Sequence, residues 1–123
     1  MKFYLDTCIW LNLFKKEGNS KKGKPYWKIA EEFIESVIFS NNEIIYSNIV
    51  LREIEYIIAN SSLFEERKCF MENEPKLSFV FMEKLDYDFA RKLELKHNFE
   101  LSFYDFLHIA ICKRMNLVLV TRD

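Results

Sequence analysis

Four short apolar stretches, each separated from the next by two segments with a helical pattern, constrain the fold of this 123-residue chain most strongly. We predict strands at these four stretches, Met1–Leu5, Glu43–Tyr46, Leu77–Met82 and Leu117–Val120. The predicted helices between them are Thr7–Phe14, Trp27–Ser40, Asn48–Asn60, Phe64–Glu74, Asp86–His97 and Ser102–Met115. Asn48 is the expected N-cap of the third helix. Strands that alternate with helix pairs predict an α/β fold, a three-layer sandwich in which a central, mainly parallel sheet of about four strands is flanked by helices.

The composition agrees with one domain of this kind. A chain of 123 residues is long enough for one hydrophobic core and too short for two, so we expect residues 1–123 to form a single domain. Two glycines and two prolines argue against an all-β fold with many tight turns. The net charge of −1 excludes a strongly basic protein, and any contact with nucleic acid has to come from a local patch.

The cysteines and the apolar segments predict a cytoplasmic protein. Cys8, Cys69 and Cys112 are odd in number and far apart, which argues against a disulfide framework and against a zinc site. The N-terminus lacks a signal-peptide pattern, because Asp6 falls where the apolar segment of such a peptide would begin. We expect no membrane association, since no stretch approaches the roughly 18 apolar residues of a membrane span.

Two acidic residues follow predicted strands. Asp6 follows the first strand and Asp123 the last, and each lies close to a threonine, Thr7 or Thr121. In a parallel sheet such residues project at the same edge, where reactive groups collect. Taken alone, Asp6 is equally well explained as the N-cap of the next helix. Thr121 is either a hydrogen-bond donor that supports a carboxylate or an ordinary β-branched residue at a strand end.

Glu53 lies inside the apolar arc of the third predicted helix, whereas Glu55 lies outside it. The arc is formed by Ile49, Val50, Leu51, Ile54, Ile57 and Ile58. A carboxylate in such an arc costs several kcal/mol unless it meets a cation, a metal ion or hydrogen-bond donors. Glu53 is therefore the candidate functional residue, although an ion pair with a Lys or Arg would also explain it. Glu55 is predicted to be a solvated residue.

Asp105 begins the last predicted helix, which is apolar on nearly every side. Ser102 and Asp105 have the spacing of a capping box, and this structural role alone would explain the acid. The amino end of a deeply placed helix also favours negative charge and suits a metal ligand. One turn later lies His108, for which a hydrogen-bonded histidine of the core is the favoured interpretation.

Taken together, the four acids Asp6, Glu53, Asp105 and Asp123 predict a metal site. Clustered carboxylates repel one another by about 4 kcal/mol per close pair at an effective dielectric constant near 20. Divalent cations relieve this repulsion, and hard oxygen ligands select Mg²⁺ or Mn²⁺. Two such ions about 4 Å apart suit in-line attack on a phosphodiester.

The motifs around these acids resemble those of the PIN domain family, in particular the VapC-type toxins of prokaryotic toxin–antitoxin pairs. The similar segments span the whole chain, and each is short, but four in the same order make a specific pattern. They are Phe-Tyr-Leu-Asp6-Thr7, Ser47-Asn-Ile-Val-Leu-Arg-Glu53-Ile, Ser102-Phe-Tyr-Asp105-Phe-Leu-His-Ile-Ala110 and Leu119-Val-Thr121-Arg-Asp123.

The resemblance implies a metal-dependent endoribonuclease with an RNA substrate, a homodimer, and inhibition by a small antitoxin protein. We expect Asp6, Asp105 and Asp123 to hold Mg²⁺ or Mn²⁺, and Glu53 to orient the attacking water or to complete a second metal site. The family normally continues beyond the position of Asp123 into a further short helix and strand. We therefore also expect a shortened form of the domain with reduced catalytic activity. The alternative is a PIN-fold module that is non-catalytic or acts in RNA processing.

The segment between Phe14 and Trp27 is rich in lysine and falls where the family varies. Lys21, Lys22 and Lys24 are candidate contacts to RNA phosphates. A solvated surface loop explains these lysines at least as well.

Overall fold

The computed structural model of the chain describes residues 1–15 and 25–121. In these residues the elements follow the predicted order of strands and helix pairs. The strands are β1 (Lys2–Leu5), β2 (Glu43–Ser47), β3 (Leu77–Val80) and β4 (Val118–Val120). The helices are α1 (Thr7–Phe14), α2 (Tyr26–Ile38), α3 (Asn48–Ile58), α4 (Ser61–Asn73), α5 (Lys84–Lys96) and α6 (Phe103–Met115).

The four strands form one parallel sheet with the order β3-β2-β1-β4. Phe3 of β1 is in register with Ile44 of β2 on one side and with Val118 of β4 on the other. The chain adds β2 and β3 in one direction from β1 and then returns to place β4 on the opposite side. This topological switch point lies between β1 and β4, where open parallel sheets form their functional crevice. The predicted parallel α/β fold is thus confirmed.

The inner strands form the centre of the hydrophobic core. Tyr4 and Leu5 of β1 and Ile44 of β2 are fully buried. Strands that are covered by helices on both faces read as almost continuous apolar runs, and the segments Phe3–Leu5 and Ile44–Tyr46 have this character. Trp10, Val50, Ile54, Met71 and Ile111 from the surrounding helices complete the buried cluster.

Several predicted helix ends differ from the observed ones by one to three residues, and the clearest cases lie at α3 and α4. We expected Asn48 to cap α3, but Ser47 occupies the N-cap and its Oγ accepts a hydrogen bond from the backbone N–H of Val50. The Asn48 side chain instead accepts a hydrogen bond from the backbone N–H of Met82, 2.8 Å away. We also expected α3 to reach Asn60. It ends at the left-handed Ala59 (φ 52°), and Asn60 caps α4 through the backbone N–H of Leu63.

A buried ion pair joins α6 to the start of α5. The Asp86 side chain is 1% exposed, and both of its carboxylate oxygens accept from Arg114 Nε, at 2.9 and 3.1 Å. Asp86 also forms a capping box with Glu83. Because Arg114 belongs to the last turn of α6, this pair holds the helix whose other end carries Asp105.

None of the helices in residues 1–15 and 25–121 has the length and apolarity needed to cross a membrane. Cys8, Cys69 and Cys112 form no disulfide. Burial, together with the negative charge of Asp6, raises the pKa of the Cys112 thiol to about 12. Since this pKa lies far above neutrality, Cys112 stays a protonated, apolar core residue.

Candidate active site

Asp6 lies at the switch point of the sheet. Its backbone N–H donates to the carbonyl oxygen of Val120 at 2.9 Å, which holds it beside the end of β4. The Thr121 hydroxyl donates to Asp6 Oδ2 at 3.2 Å. Asp6 precedes α1, but its side chain accepts no capping hydrogen bond from that helix. The half-buried carboxylate is therefore positioned by the two strand ends rather than by the helix.

Glu53 of α3 reaches the same edge of the sheet. Its Oε1 accepts a hydrogen bond from the Thr7 hydroxyl at 2.8 Å and lies 2.6 Å from His108 Nε2. Within the described part of the chain no Lys or Arg pairs with Glu53, so the ion-pair explanation considered from the sequence is not supported there. The Glu53 side chain is 20% exposed, and no described residue binds its Oε2. Glu55 is exposed, as predicted.

Asp105 forms the predicted capping box at the start of α6. Its Oδ2 accepts from the backbone N–H of Ser102 at 3.2 Å, and its own backbone N–H donates to Ser102 Oγ at 3.2 Å. Residues three apart on a helix are neighbours on its surface, so Asp105 and His108 share one side of α6. Because His108 contacts Glu53, this side of α6 turns toward the Glu53 carboxylate.

His108 is buried and both of its ring nitrogens have partners. Nδ1 lies 2.6 Å from the Tyr4 hydroxyl, and Nε2 lies 3.2 Å from the Thr7 hydroxyl as well as 2.6 Å from Glu53. A hydrogen-bonded histidine of the core, the interpretation favoured from the sequence, agrees with this environment. Glu53 was not predicted to be its partner.

Tyr4 and Ser47 extend this set of contacts. Both stand in the motifs that resemble the family, but no role was predicted for either residue. The Tyr4 hydroxyl lies 2.7 Å from Ser47 Oγ, and both residues are fully buried. Burial raises the pKa of the Tyr4 hydroxyl well above its ordinary value, and the negative charges of Glu53 and Asp6 raise it further. A tyrosine inside a predicted buried strand was the available signal, because its hydroxyl requires a hydrogen-bond partner.

The donor chemistry of the site fits a hard divalent ion, but the described acids do not complete a site. Asp6 and Asp105 offer carboxylate oxygens, the ligands that Mg²⁺ and Mn²⁺ prefer. Among residues 1–15 and 25–121, however, no group of three His, Cys, Asp or Glu side chains lies close enough to hold a metal ion. The predicted fourth acid, Asp123, lies outside the described residues, as do Lys21, Lys22 and Lys24.

A cavity with a volume of about 540 Å³ adjoins Glu53. Its walls come from α3 and from the start of α6, and its lining includes Arg52, Tyr56, Ser102 and Tyr104. Tyr56 and Arg52 are exposed, and no acidic group of the described residues pairs with Arg52. The cavity thus combines aromatic rings, a cation and the Glu53 carboxylate.

Solved structures of a VapC toxin and of toxin–antitoxin complexes share this fold. VapC20 of Mycobacterium tuberculosis, a toxin that cleaves the sarcin–ricin loop, aligns with a TM-score of 0.76 at 17% identity, over 98% of this chain and 89% of that one. A toxin–antitoxin complex from Klebsiella pneumoniae aligns at 0.68 and 17% identity, over 98% and 86%. DNA-bound VapBC from Salmonella typhimurium aligns at 0.60 and 23% identity, also over 98% and 86%.

The sequence itself carries the family assignment. No curated protein sequence is significantly similar to this chain. Residues 3–123, however, match the PIN domain family, and this range contains all four acidic motifs. Together with the parallel sheet and the switch-point site, this match shows that the chain belongs to the PIN domain family.

Proposed function

We propose that this protein is a metal-dependent endoribonuclease that hydrolyses RNA phosphodiester bonds in the cytoplasm as the toxin of a toxin–antitoxin pair. The observation that carries the proposal is the contact of Glu53 with both Thr7 and His108. Thr7 adjoins Asp6 in sequence, and His108 lies one turn after Asp105, so this contact gathers three of the four acidic motifs. The fold shared with VapC20, a toxin that cleaves the sarcin–ricin loop, supports the same reaction class.

In this proposal Asp6, Asp105 and Asp123 hold Mg²⁺ or Mn²⁺. When bound, the ion polarises the phosphoryl oxygens, lowers the pKa of water and stabilises the charge that develops during in-line attack. Thr121 keeps Asp6 oriented through its hydrogen bond to Oδ2. Glu53 accepts a hydrogen bond from the attacking water at Oε2, since its Oε1 is already occupied by Thr7 and His108.

The cavity next to Glu53 supports a single-stranded RNA substrate. Nucleobases stack on exposed aromatic side chains, with about 1–3 kcal/mol for each stacked base. Tyr56 and Tyr104 offer such rings within the cavity, and Arg52 offers a cation for a backbone phosphate. We propose that the nucleotides flanking the scissile bond occupy this cavity.

The test is cleavage of an RNA that contains single-stranded loops, with and without divalent metal. Incubation with Mg²⁺ or Mn²⁺ should give discrete fragments, and excess EDTA should stop their formation. Binding of the RNA without cleavage under every metal condition would favour the non-catalytic PIN-fold module instead. A matched preparation of the Asp6→Asn variant controls for contaminating nucleases.

The lysines of the segment before Trp27 should give RNA affinity part of its salt dependence. We expect the triple replacement of Lys21, Lys22 and Lys24 by Ala to reduce the slope of log K against log salt by roughly two, at about 0.7 per phosphate contact for a single strand. Fluorescence anisotropy at several salt concentrations measures this slope. An unchanged slope would mean that these lysines are only solvated.

We also propose a homodimer and a small antitoxin partner. Two of the similar structures are toxin–antitoxin or VapBC complexes, and large apolar side chains of this chain, among them Phe39, Phe81 and Leu85, are exposed. Light scattering at tens of micromolar should give the mass of a dimer. A monomer that also fails to bind hydrophobic probes would contradict this part of the proposal.

A further inference from the structure

A buried series of hydrogen bonds leads from the start of α3 to Glu53. Ser47 Oγ accepts from the backbone N–H of Val50 at 3.4 Å and lies 2.7 Å from the Tyr4 hydroxyl. The Tyr4 hydroxyl lies 2.6 Å from His108 Nδ1, and His108 Nε2 lies 2.6 Å from Glu53 Oε1. We term Ser47, Tyr4, His108 and Glu53 the relay.

The carboxylate at the end of the relay determines the direction of its hydrogen bonds. An ionised carboxylate only accepts, so His108 Nε2 carries the proton of that bond. In a neutral imidazole Nδ1 is then the acceptor, and the Tyr4 hydroxyl donates to it. Burial raises the pKa of Tyr4 well above its ordinary value, so the hydroxyl keeps the proton that it donates. Ser47 in turn donates to Tyr4, and every bond points toward Glu53.

The relay restricts the orientation of the Glu53 carboxylate. The terminal torsion of a glutamate is broad, and a free side chain would sample many orientations. Here two donors, Thr7 and His108, bind the same oxygen. Tyr4, Ser47 and His108 are each buried to 1% exposure or less, so water does not compete for these bonds. The arrangement leaves Oε2 as the carboxylate oxygen that has no partner among the described residues.

We propose that His108 is a positioning residue that fixes Glu53 through Oε1 and thereby presents Oε2 to the attacking water. His108 contacts neither RNA nor metal in this account. The inference rests on the role of Glu53 in the proposed ribonuclease. Partners that orient the carboxylates and histidines of metal sites contribute about 10–100-fold to activity, and we expect an effect of similar size here.

The first test compares two replacements of His108 that differ in one donor. Gln extends an amide N–H to about the position of Nε2, whereas Met fills similar space and donates nothing. We expect His108→Met to lower kcat for RNA cleavage by about 10–100-fold with KM changed by less than about threefold. His108→Gln should recover most of this loss. His97→Gln, at the exposed second histidine, is the matched control and should have no effect.

Two kinetic results would overturn the inference. Full activity of His108→Met would show that the donor is dispensable. Equal losses in the Gln and Met variants, in proportion to a fall in melting temperature, would show a purely structural role. Should His108→Met fail to fold, Tyr4→Phe provides the same test, because it removes only the hydroxyl that orients the imidazole. It should lower kcat and leave KM within about threefold.

The second test needs neither metal nor RNA. Nitrogen-15 NMR of the histidine side chains should resolve a slowly exchanging Nε2 proton for His108. Glu53→Gln should shift this resonance strongly, and Glu55→Gln should leave it unchanged. A resonance that is insensitive to Glu53→Gln would contradict the relay even if the protein cleaves RNA. The expected shift in a protein that cleaves no RNA would instead leave the relay intact and refute the proposed function.

Discussion

Replacing Asp6 or Asp105 by asparagine should reduce RNA cleavage by at least about 100-fold, which corresponds to roughly 2.7 kcal/mol in the activation barrier. Each change removes a hard anionic oxygen from the proposed metal site and keeps the size of the side chain. An asparagine at either position still accepts the hydrogen bond from Thr121 or from the Ser102 backbone. We therefore expect a melting temperature that is unchanged or slightly higher, because one charge of a repulsive cluster is lost.

Single-turnover cleavage of a labelled RNA, combined with thermal melting, measures both effects. Glu55→Gln is the matched control, since Glu55 lies on the same helix as Glu53 but is exposed, and it should cleave RNA at the rate of the unmodified protein. Cleavage at the unmodified rate in both the Asp6 and Asp105 variants would refute the assignment of these acids. A loss of activity that follows a loss of folding would refute it as well.

Replacing Arg114 by alanine should destabilise the domain by about 3 kcal/mol, the low end for breaking a buried ion pair by removing one partner. The Asp86 carboxylate is 1% exposed and would lose both hydrogen bonds from Arg114 Nε. The value is placed at the low end because the Arg114 side chain is itself 26% exposed. For a chain of this length the melting temperature should fall by roughly 10 °C.

Chemical denaturation of Arg114→Ala and Lys68→Ala compares the contribution of the buried ion pair to the free energy of unfolding with that of a surface ion pair. Lys68 and Glu72 lie 3.8 Å apart on α4, and their side chains are 36% and 54% exposed. The second variant should therefore change the free energy of unfolding by less than about 1 kcal/mol. Equal destabilisation by the two replacements would mean that burial of Asp86 does not matter. In that case the ion pair would not hold α6 in place.

The order of the elements could be predicted because the spacing of apolar residues changes sharply wherever a strand gives way to a helix or a helix to a strand. Phe3–Leu5 and Ile44–Tyr46 are continuous apolar runs, and the helices between them repeat their apolar residues every three or four positions. Their ends were harder to predict. Ser47, Asn48 and Asn60 are all favourable N-cap residues, and only the backbone conformation of Ala59 and the contact of Asn48 with Met82 decide which of them caps a helix.

The site was predictable only where a residue broke a local pattern. Glu53 interrupts an apolar arc, and Asp6 ends an apolar strand. The contacts between the motifs could not be predicted in this way, because they join residues that are far apart in the sequence. Thr7 and His108, for example, are separated by 101 residues. Such contacts depend on the strand order β3-β2-β1-β4 and on the helix placement that it imposes. Tyr4 and Ser47 fit their strands as ordinary buried residues, and the local pattern gives no indication of their partners.

The central claim is that the acids at the carboxyl edge of the sheet form one divalent-metal site, and binding of Mn²⁺ tests it most directly. Thermal melting with increasing Mn²⁺ should raise the stability of the unmodified protein, by about 2.7 kcal/mol once the free ion reaches 100 times its Kd. Glu55→Gln should show the same rise, and Asp6→Asn should lose it. A melting temperature that does not change in millimolar Mn²⁺ would contradict this claim. An equal rise in the unmodified protein and in Asp6→Asn would contradict it as well.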